Sequence, residues 1–182
     1  MEYCKYGNLH DYIVKHGALD ESTIRVVMKQ MLEALSYLAS KHIVHRDIKT
    51  ANILIADTDL YKLCDFGSCF VIEKSARNTI VGDGSFRGTD VYIAPESGRG
   101  FQRGRSDIWS LGCCLYEMIT GEIPWKAIRN ESKTRESVIY RITRANTRPE
   151  VKPETWDALS QELRDLYLQC LNVVCEGESD EG

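Results

Sequence analysis

A chain of 182 residues suffices for one domain that buries roughly 70% of the surface its unfolded form exposes. With 43% hydrophobic and 27% charged residues it has an ordinary globular make-up, which excludes a disordered or fibrous chain. The formal net charge is −4, and four acidic side chains (Glu176, Glu178, Asp180, Glu181) fall in the last seven residues. The rest is close to neutral and offers no electrostatic footprint for nucleic acid or a membrane surface.

The seven cysteines are odd in number, and no pair stands at CxxC spacing. That argues against a disulfide framework or structural zinc and for a reducing, cytoplasmic setting. No apolar run approaches the ~18 residues of a membrane span, and the N-terminal Met-Glu-Tyr-Cys-Lys-Tyr-Gly lacks the apolar core of a signal peptide.

In chain order, residues 8–15 read as a short helix that Gly17 terminates. Asp20 is an N-cap with Glu21 in the first turn. Behind it Ile24, Val27, Met28, Met31, Leu32, Leu35 and Leu38 recur at helical spacing, which predicts a long amphipathic helix to about Lys41. Short β-branched or apolar runs at 43–44, 53–55 and 61–63 predict small strands, with Asp57-Thr58-Asp59 as a turn. From about 67 to 104 no period is sustained, and a stretch of that length is usually functional. Residues 107–119 are apolar on most faces and predict a buried helix. Helical patterns near 136–144 and 160–171 come next. The expected chain is mostly α, with a few short strands beside one long functional loop.

Within that frame stand His45-Arg46-Asp47-Ile48-Lys49-Thr50-Ala51-Asn52, then Asp65-Phe66-Gly67, then Ala94-Pro95-Glu96. Each tripeptide alone is a weak signal. In this order and setting they are specific, and the chain resembles the eukaryotic protein kinase family, whose catalytic loop reads H-R-D-x-K-x-x-N. The resemblance runs from Met1 to about Leu171. It implies an α+β family fold of which this chain is the mostly α large lobe, a kinase domain over 1–171, and an acidic tail without regular structure over 172–182.

The resemblance implies a Ser/Thr protein kinase using ATP and Mg²⁺ on a protein substrate, a downstream kinase among the candidates, in a signalling cascade. Phosphoryl transfer needs a hydroxyl in line with the γ-phosphate and cations to neutralise its oxygens. Asp47 would accept or orient the hydroxyl proton. Asn52 and Asp65 would supply the hard oxygen ligands that Mg²⁺ prefers, and Lys49 would reach the γ-phosphate. Lys49 together with Gly88-Thr89 is similar to the Ser/Thr branch, with Thr89 bridging Asp47 and Lys49. Asp90 stands where the family usually has proline, in the loop that seats the acceptor peptide. Residues 107–125 are most like mitogen-activated protein kinase kinase kinases.

Other roles come from the same likeness. His45 and Phe66 are packing residues, Asp107 holds the backbone of the catalytic loop, and Cys64 is a small buried hydrophobe sooner than a reactive thiol. Arg46, expected as a buried guanidinium, calls for a phosphate counter-charge. Ser85 is the main phosphosite candidate, with Thr79 and Ser75 behind it. Met1 to Cys4 resembles the hinge, where Glu2 and Cys4 would bond adenine above Leu54.

No glycine-rich loop and no strand lysine for the α- and β-phosphates is read in these residues, so the small lobe is expected to be missing and the isolated chain inert. Glu96 is expected to lack the arginine that pairs with it in the family, at a cost of about 3–5 kcal/mol if buried. An enzyme and a non-catalytic interaction module or decoy both stay open, the latter docking a regulatory partner on the exposed lobe face.

Overall fold

The computed structural model describes residues 4–72, 80–81, 88–99, 101–102, 104–145 and 147–172. The first helix, α1 (Leu9–His16), begins where the Asn8 side chain accepts the amide of Asp11. It ends at Gly17, which has φ 83° and donates its N–H to the Ile13 carbonyl. Glycine takes that positive φ without steric penalty. In α2 (Glu21–Ser40) the Asp20 carboxylate caps the Thr23 amide. Of the predicted stripe, Ile24, Val27, Met28, Met31, Leu35 and Leu38 are buried and Leu32 is half-buried against the core, as a helix with apolar residues three and four apart requires.

That stripe packs against α4 (Gly104–Thr120), the second predicted core helix. Leu111, Gly112, Cys113, Cys114 and Leu115 are consecutive and all buried, so α4 is enclosed on every side and forms the axis of the core. The last helix, α8 (Gln161–Cys170), opens on Ser160, whose hydroxyl accepts from the Leu163 amide, and packs against α4. Among the described residues no helix is long and apolar enough to cross a membrane.

The strands are short and antiparallel. β2 (Ile53–Asp57) and β3 (Leu60–Leu63) form a hairpin in the register Ile53 to Leu63 and Ile55 to Tyr61. β1 (Ile43–Val44) pairs with β4 (Phe70–Val71), and β5 (Ile80–Val81) pairs with β6 (Phe101–Gln102). Of the three pairs, β1–β4 does most to shape the site. It sets the loop leaving β1 beside the turn leaving β3.

The expectation of an irregular stretch from 67 to 104 is corrected where residues are described. It holds β4, a single helical turn at Asp90–Tyr92, and α3 (Pro95–Gly98). Two helices, α5 (Lys126–Glu131) and α7 (Pro153–Ala158), were not expected, and α6 (Arg135–Ala145) lies between them. Six residues are too few to display a helical period. Pro153 at the first helical position of α7 was the signal available.

Gly112 is where α4 comes against the C-terminal end of α8. A Cβ there would lie 2.7 Å from Leu171 Cγ and 2.9 Å from Cys170 Cβ, neither of them the free end of a side chain. Gly112→Ala should therefore lower the stability of the chain by about 1–3 kcal/mol. The check is a urea titration, in which the midpoint falls with little change in slope.

Candidate active site

The site is built on α4. Asp107, 4% exposed, reaches from its first turn to the loop after β1 and accepts two backbone amides. Its Oδ2 takes His45 N–H at 2.7 Å and its Oδ1 takes Arg46 N–H at 2.9 Å. Burial raises the Asp107 carboxyl above the usual range, against the lowering by those two amides. The expected role of Asp107 is matched by this geometry. Arg46 sits at φ 69°, a left-handed conformation that costs a non-glycine residue free energy unless its surroundings hold it. The Asp107 bonds are such a hold.

His45 is fully buried. Its Nε2 is 3.0 Å from the Cys64 carbonyl and its Nδ1 accepts from the Asp47 amide at 3.3 Å. A carbonyl only accepts and an amide only donates, so the ring proton is on Nε2. Phe66 meets the ring edge-on at 5.1 Å. Both residues pack as expected, although Phe66 is 52% exposed. Arg46 is only half-buried, which corrects the expectation of a buried guanidinium. It donates to the Ser68 carbonyl and lies 5.4 Å over the Phe70 ring.

Asp47, Lys49, Asn52 and Thr89 converge. Lys49 Nζ donates to Asp47 Oδ2 at 2.8 Å and to Thr89 Oγ1 at 3.1 Å, and Thr89 Oγ1 donates to Asp47 Oδ1 at 2.9 Å. Thr89 thus bridges the other two. Asn52 Nδ2 donates to the Asp47 carbonyl at 2.8 Å and to Asp47 Oδ2 at 3.2 Å. Burial pushes the Asp47 carboxyl up, but the bonds from Lys49 and Thr89, the Lys49 charge and the Asn52 bond outweigh it and hold it below the usual range.

Asp65 arrives from the other strand of the hairpin. The Cys64 amide donates to the Asn52 carbonyl at 2.9 Å, which puts Asn52 and Asp65 at the same end of β2 and β3. Asp65 is left-handed at φ 59°, with its carboxylate accepting from Gly67 N–H. The donor set suits Mg²⁺. The Asn52 amide spends its NH₂ on Asp47, so its oxygen is the end left for a cation, and Asp65 presents an exposed carboxylate. Both are the hard oxygen ligands such an ion takes.

The expected nucleotide floor is gathered in part. The Ile55 amide donates to the Gly7 carbonyl at 2.9 Å and Asn8 bridges Leu54, so the segment bearing Cys4 lies along β2 beside Leu54. Cys64 is half-buried, and burial, then the nearby Asp65 and Cys4 charges, raise its thiol, against a reactive thiolate. Glu2, Ser75, Thr79, Ser85 and the tail beyond 172 lie outside the described residues.

Glu96 is half-buried and accepts from the Ser106 hydroxyl at 3.0 Å. The cost expected for a buried, unpartnered carboxylate does not apply to it.

Two sets of contacts were not anticipated. Glu117 on α4, 1% exposed, accepts from Thr50 Oγ1 at 2.7 Å and Tyr92 OH at 2.5 Å, and lies 2.7 Å from His10 Nδ1. It ties α1, the catalytic loop and the Asp90–Tyr92 turn to the central helix. A glutamate inside an apolar helix was the signal. The second is that of Asp90, which pairs with Arg129 of α5 at 2.7 Å.

Comparison with known proteins agrees. The family profile described as protein kinase domain matches residues 1–177, and the chain belongs to that family. It is 36% identical to MAP kinase kinase kinase wis4 of Schizosaccharomyces pombe, over 93% of this chain and 12% of the relative. To mitogen-activated protein kinase kinase kinase 1 of Homo sapiens it is 35% identical, over 95% of this chain and 11% of the relative. To mitogen-activated protein kinase kinase kinase A of Dictyostelium discoideum the figures are 38%, 93% and 17%. The chain thus spans less than a fifth of the length of each of these relatives, and the likeness expected from residues 107–125 is borne out.

Removing the Asp107 carboxylate strands one buried and one half-buried amide, each worth about 1–3 kcal/mol. Asp107→Ala should accordingly cost about 2–6 kcal/mol in urea unfolding, and Asp107→Asn, which keeps one acceptor oxygen, about half as much. Equal stability of the three proteins would contradict the role given to this side chain.

Proposed function

We propose that this chain is the phosphoryl-transfer half of a serine/threonine protein kinase that acts on a protein substrate, in a signalling cascade of the kind its relatives' names denote. The observation that carries the reading is the closed set Asp47, Lys49 and Thr89, with Asn52 and Asp65 delivered to its edge by one hairpin. Asp47 is the group that receives the acceptor hydroxyl. As the hydroxyl oxygen bonds to the γ-phosphorus, the bond to the bridging oxygen breaks, ADP leaves with the electron pair, and the hydroxyl proton passes to Asp47.

The lowered Asp47 carboxyl suits that task. In a loose transition state the nucleophile needs orientation early and a proton acceptor only late, so an ionised, rigidly held carboxylate serves better than a strong base. Lys49 and Thr89 hold it. Asn52 and Asp65 are assigned to Mg²⁺, which when bound neutralises charge on the phosphate oxygens. Cys4 and Leu54, with Glu2, are assigned to the adenine side. Arg46, with Ser85 or Thr79, is assigned to control by loop phosphorylation. The reading includes a cytoplasmic location, on cysteine usage alone.

A second reading has an observation in its favour. Phe66, Phe70 and Val71 are 52%, 40% and 62% exposed and form an apolar edge beside the site, a surface that binds a partner. On that reading the chain is a docking module without transfer activity. The first reading uses the same edge as the seat of an ATP-clamping lobe.

The two readings separate in a γ-phosphate transfer assay with ATP, Mg²⁺ and a Ser/Thr protein acceptor. The 182-residue polypeptide alone should show no transfer. Joined at its N-terminus to the small lobe of a related kinase it should be active, and Asp47→Asn should lower kcat by about 10²–10⁴ with little change in KM for ATP. Transfer by the joined form that is indifferent to Asp47 would refute the assignment, and a folded, ATP-binding joined form without activity would favour the docking module.

A further inference from the structure

Thr89 is the member of the site that has to be brought to it. Asp47, Lys49 and Asn52 share one loop, anchored through Asp107. Thr89 lies 42 residues from Asp47 and 40 from Lys49, at the start of the Asp90–Tyr92 turn. Its hydroxyl is useful only while its backbone is held.

What holds that backbone is visible on both sides of it. The Asp90 carboxylate, on a residue 7% exposed, splits its two oxygens. Oδ1 accepts from the Val91 amide at 3.0 Å, and Oδ2 accepts from Arg129 Nη1 at 2.7 Å. On the other flank Arg135, at the start of α6, donates to the Gly88 carbonyl, and Gly88 has φ 118°. Two guanidiniums from two different helices therefore grip the residues immediately before and after Thr89.

The backbone itself is of the kind proline makes. Thr89 has φ −98° and ψ 130°, the extended region to which a residue before proline is confined. Asp90 is the first residue of a helical turn, where an N–H has no intrahelical acceptor and proline fits. Proline would fix this corner through its ring. Here the same corner is fixed through an ion pair to a separate helix.

We propose that Arg129, acting through Asp90, is a positioning residue that holds the Thr89 hydroxyl between Asp47 and Lys49. The inference rests on the transfer reading above for its catalytic consequence, and on contacts alone for its structural one. A half-exposed arginine 39 residues away thereby sets the geometry of the acceptor side. The site can be loosened from α5 without any residue that touches substrate being altered.

The test has two arms. In the 182-residue chain, amide exchange is followed at Tyr92 and Ile93, whose N–H groups close the turn onto Thr89 and Asp90. Arg129→Ala should speed both by about 10- to 100-fold and leave the core amides of α2 and α4 unchanged. Asp90→Asn, which keeps the Val91 bond and leaves no buried charge, should act in the same direction and less strongly. It covers the case in which Arg129→Ala does not fold. The double variant Asp90→Pro with Arg129→Ala should restore slow exchange, because the ring replaces the clamp.

In the joined, two-lobed form, Arg129→Ala should lower kcat by about tenfold at unchanged KM for ATP, and the double variant should recover it. Unchanged exchange in both Arg129→Ala and Asp90→Asn overturns the clamp whatever the activity. Altered exchange with unchanged kcat overturns the positioning role. A joined form inactive even without substitution counts against the transfer reading instead, and the exchange arm still decides the clamp.

Discussion

A carboxylate taken out of water has to be satisfied by whatever its helix can bring to it. Asp107 is carried into the interior by α4, a helix enclosed because nearly every residue from Trp109 to Ile119 is apolar. The groups that satisfy it are the amides of His45 and Arg46. That one pairing has wide consequences. It holds Arg46 in a left-handed conformation, which turns the chain so that Asp47 emerges beside Lys49 and Asn52. It also fixes where β1 ends, and so where β4 can pair and where the 65–69 turn must lie. The hydrophobic effect sets the position of α4, and the carboxylate transfers that position to the loop.

Much of this was legible in the sequence, for identifiable reasons. The cap at Asp20 is local chemistry between a side chain and an amide three residues on, and Asn8 and Ser160, read as the first residues of helical stretches, cap their helices in the same way. The stripe of α2 is a period repeated over twenty residues, and the hairpin is one β-branched and one apolar run around a turn. Asp47, Asn52 and Asp65 could be named because three motifs in order resemble those of a known family, and the hairpin does bring the last two to one end. Local or periodic signals of this kind survive in a bare string of letters.

The contacts that escaped are neither local nor periodic. Glu117 meets Thr50 across 67 residues and His10 across 107, and Asp90 meets Arg129 across 39. Each is an ordinary polar residue whose meaning depends on what folding places opposite it. Glu117 still left a trace, since a carboxylate in a mostly apolar helix demands partners. Asp90 left a different trace, a departure from the proline usual at that place. Arg129 left none, because on a six-residue helix it reads as surface charge. Glu96 was expected to go without an arginine, and a serine ten residues along its own chain accounts for one of its oxygens.

The two sides of the site are thus held by physically different means. The Asp47 side is tied by backbone amides to a buried carboxylate, and by Asn52 to the Asp47 carbonyl. The first of those bonds is buried and the others are half-buried, and they persist wherever the core is folded. The Thr89 side is tied by guanidiniums on α5 and α6 that water reaches. Exposure weakens an ion pair through screening, and Arg129 is 47% exposed while its partner carboxylate is 9% exposed. An arrangement with one constitutive wall and one held by reachable charges can lose the second without unfolding the first. A perturbation at α5 would therefore be felt in the position of the Thr89 hydroxyl before it is felt in the stability of the fold.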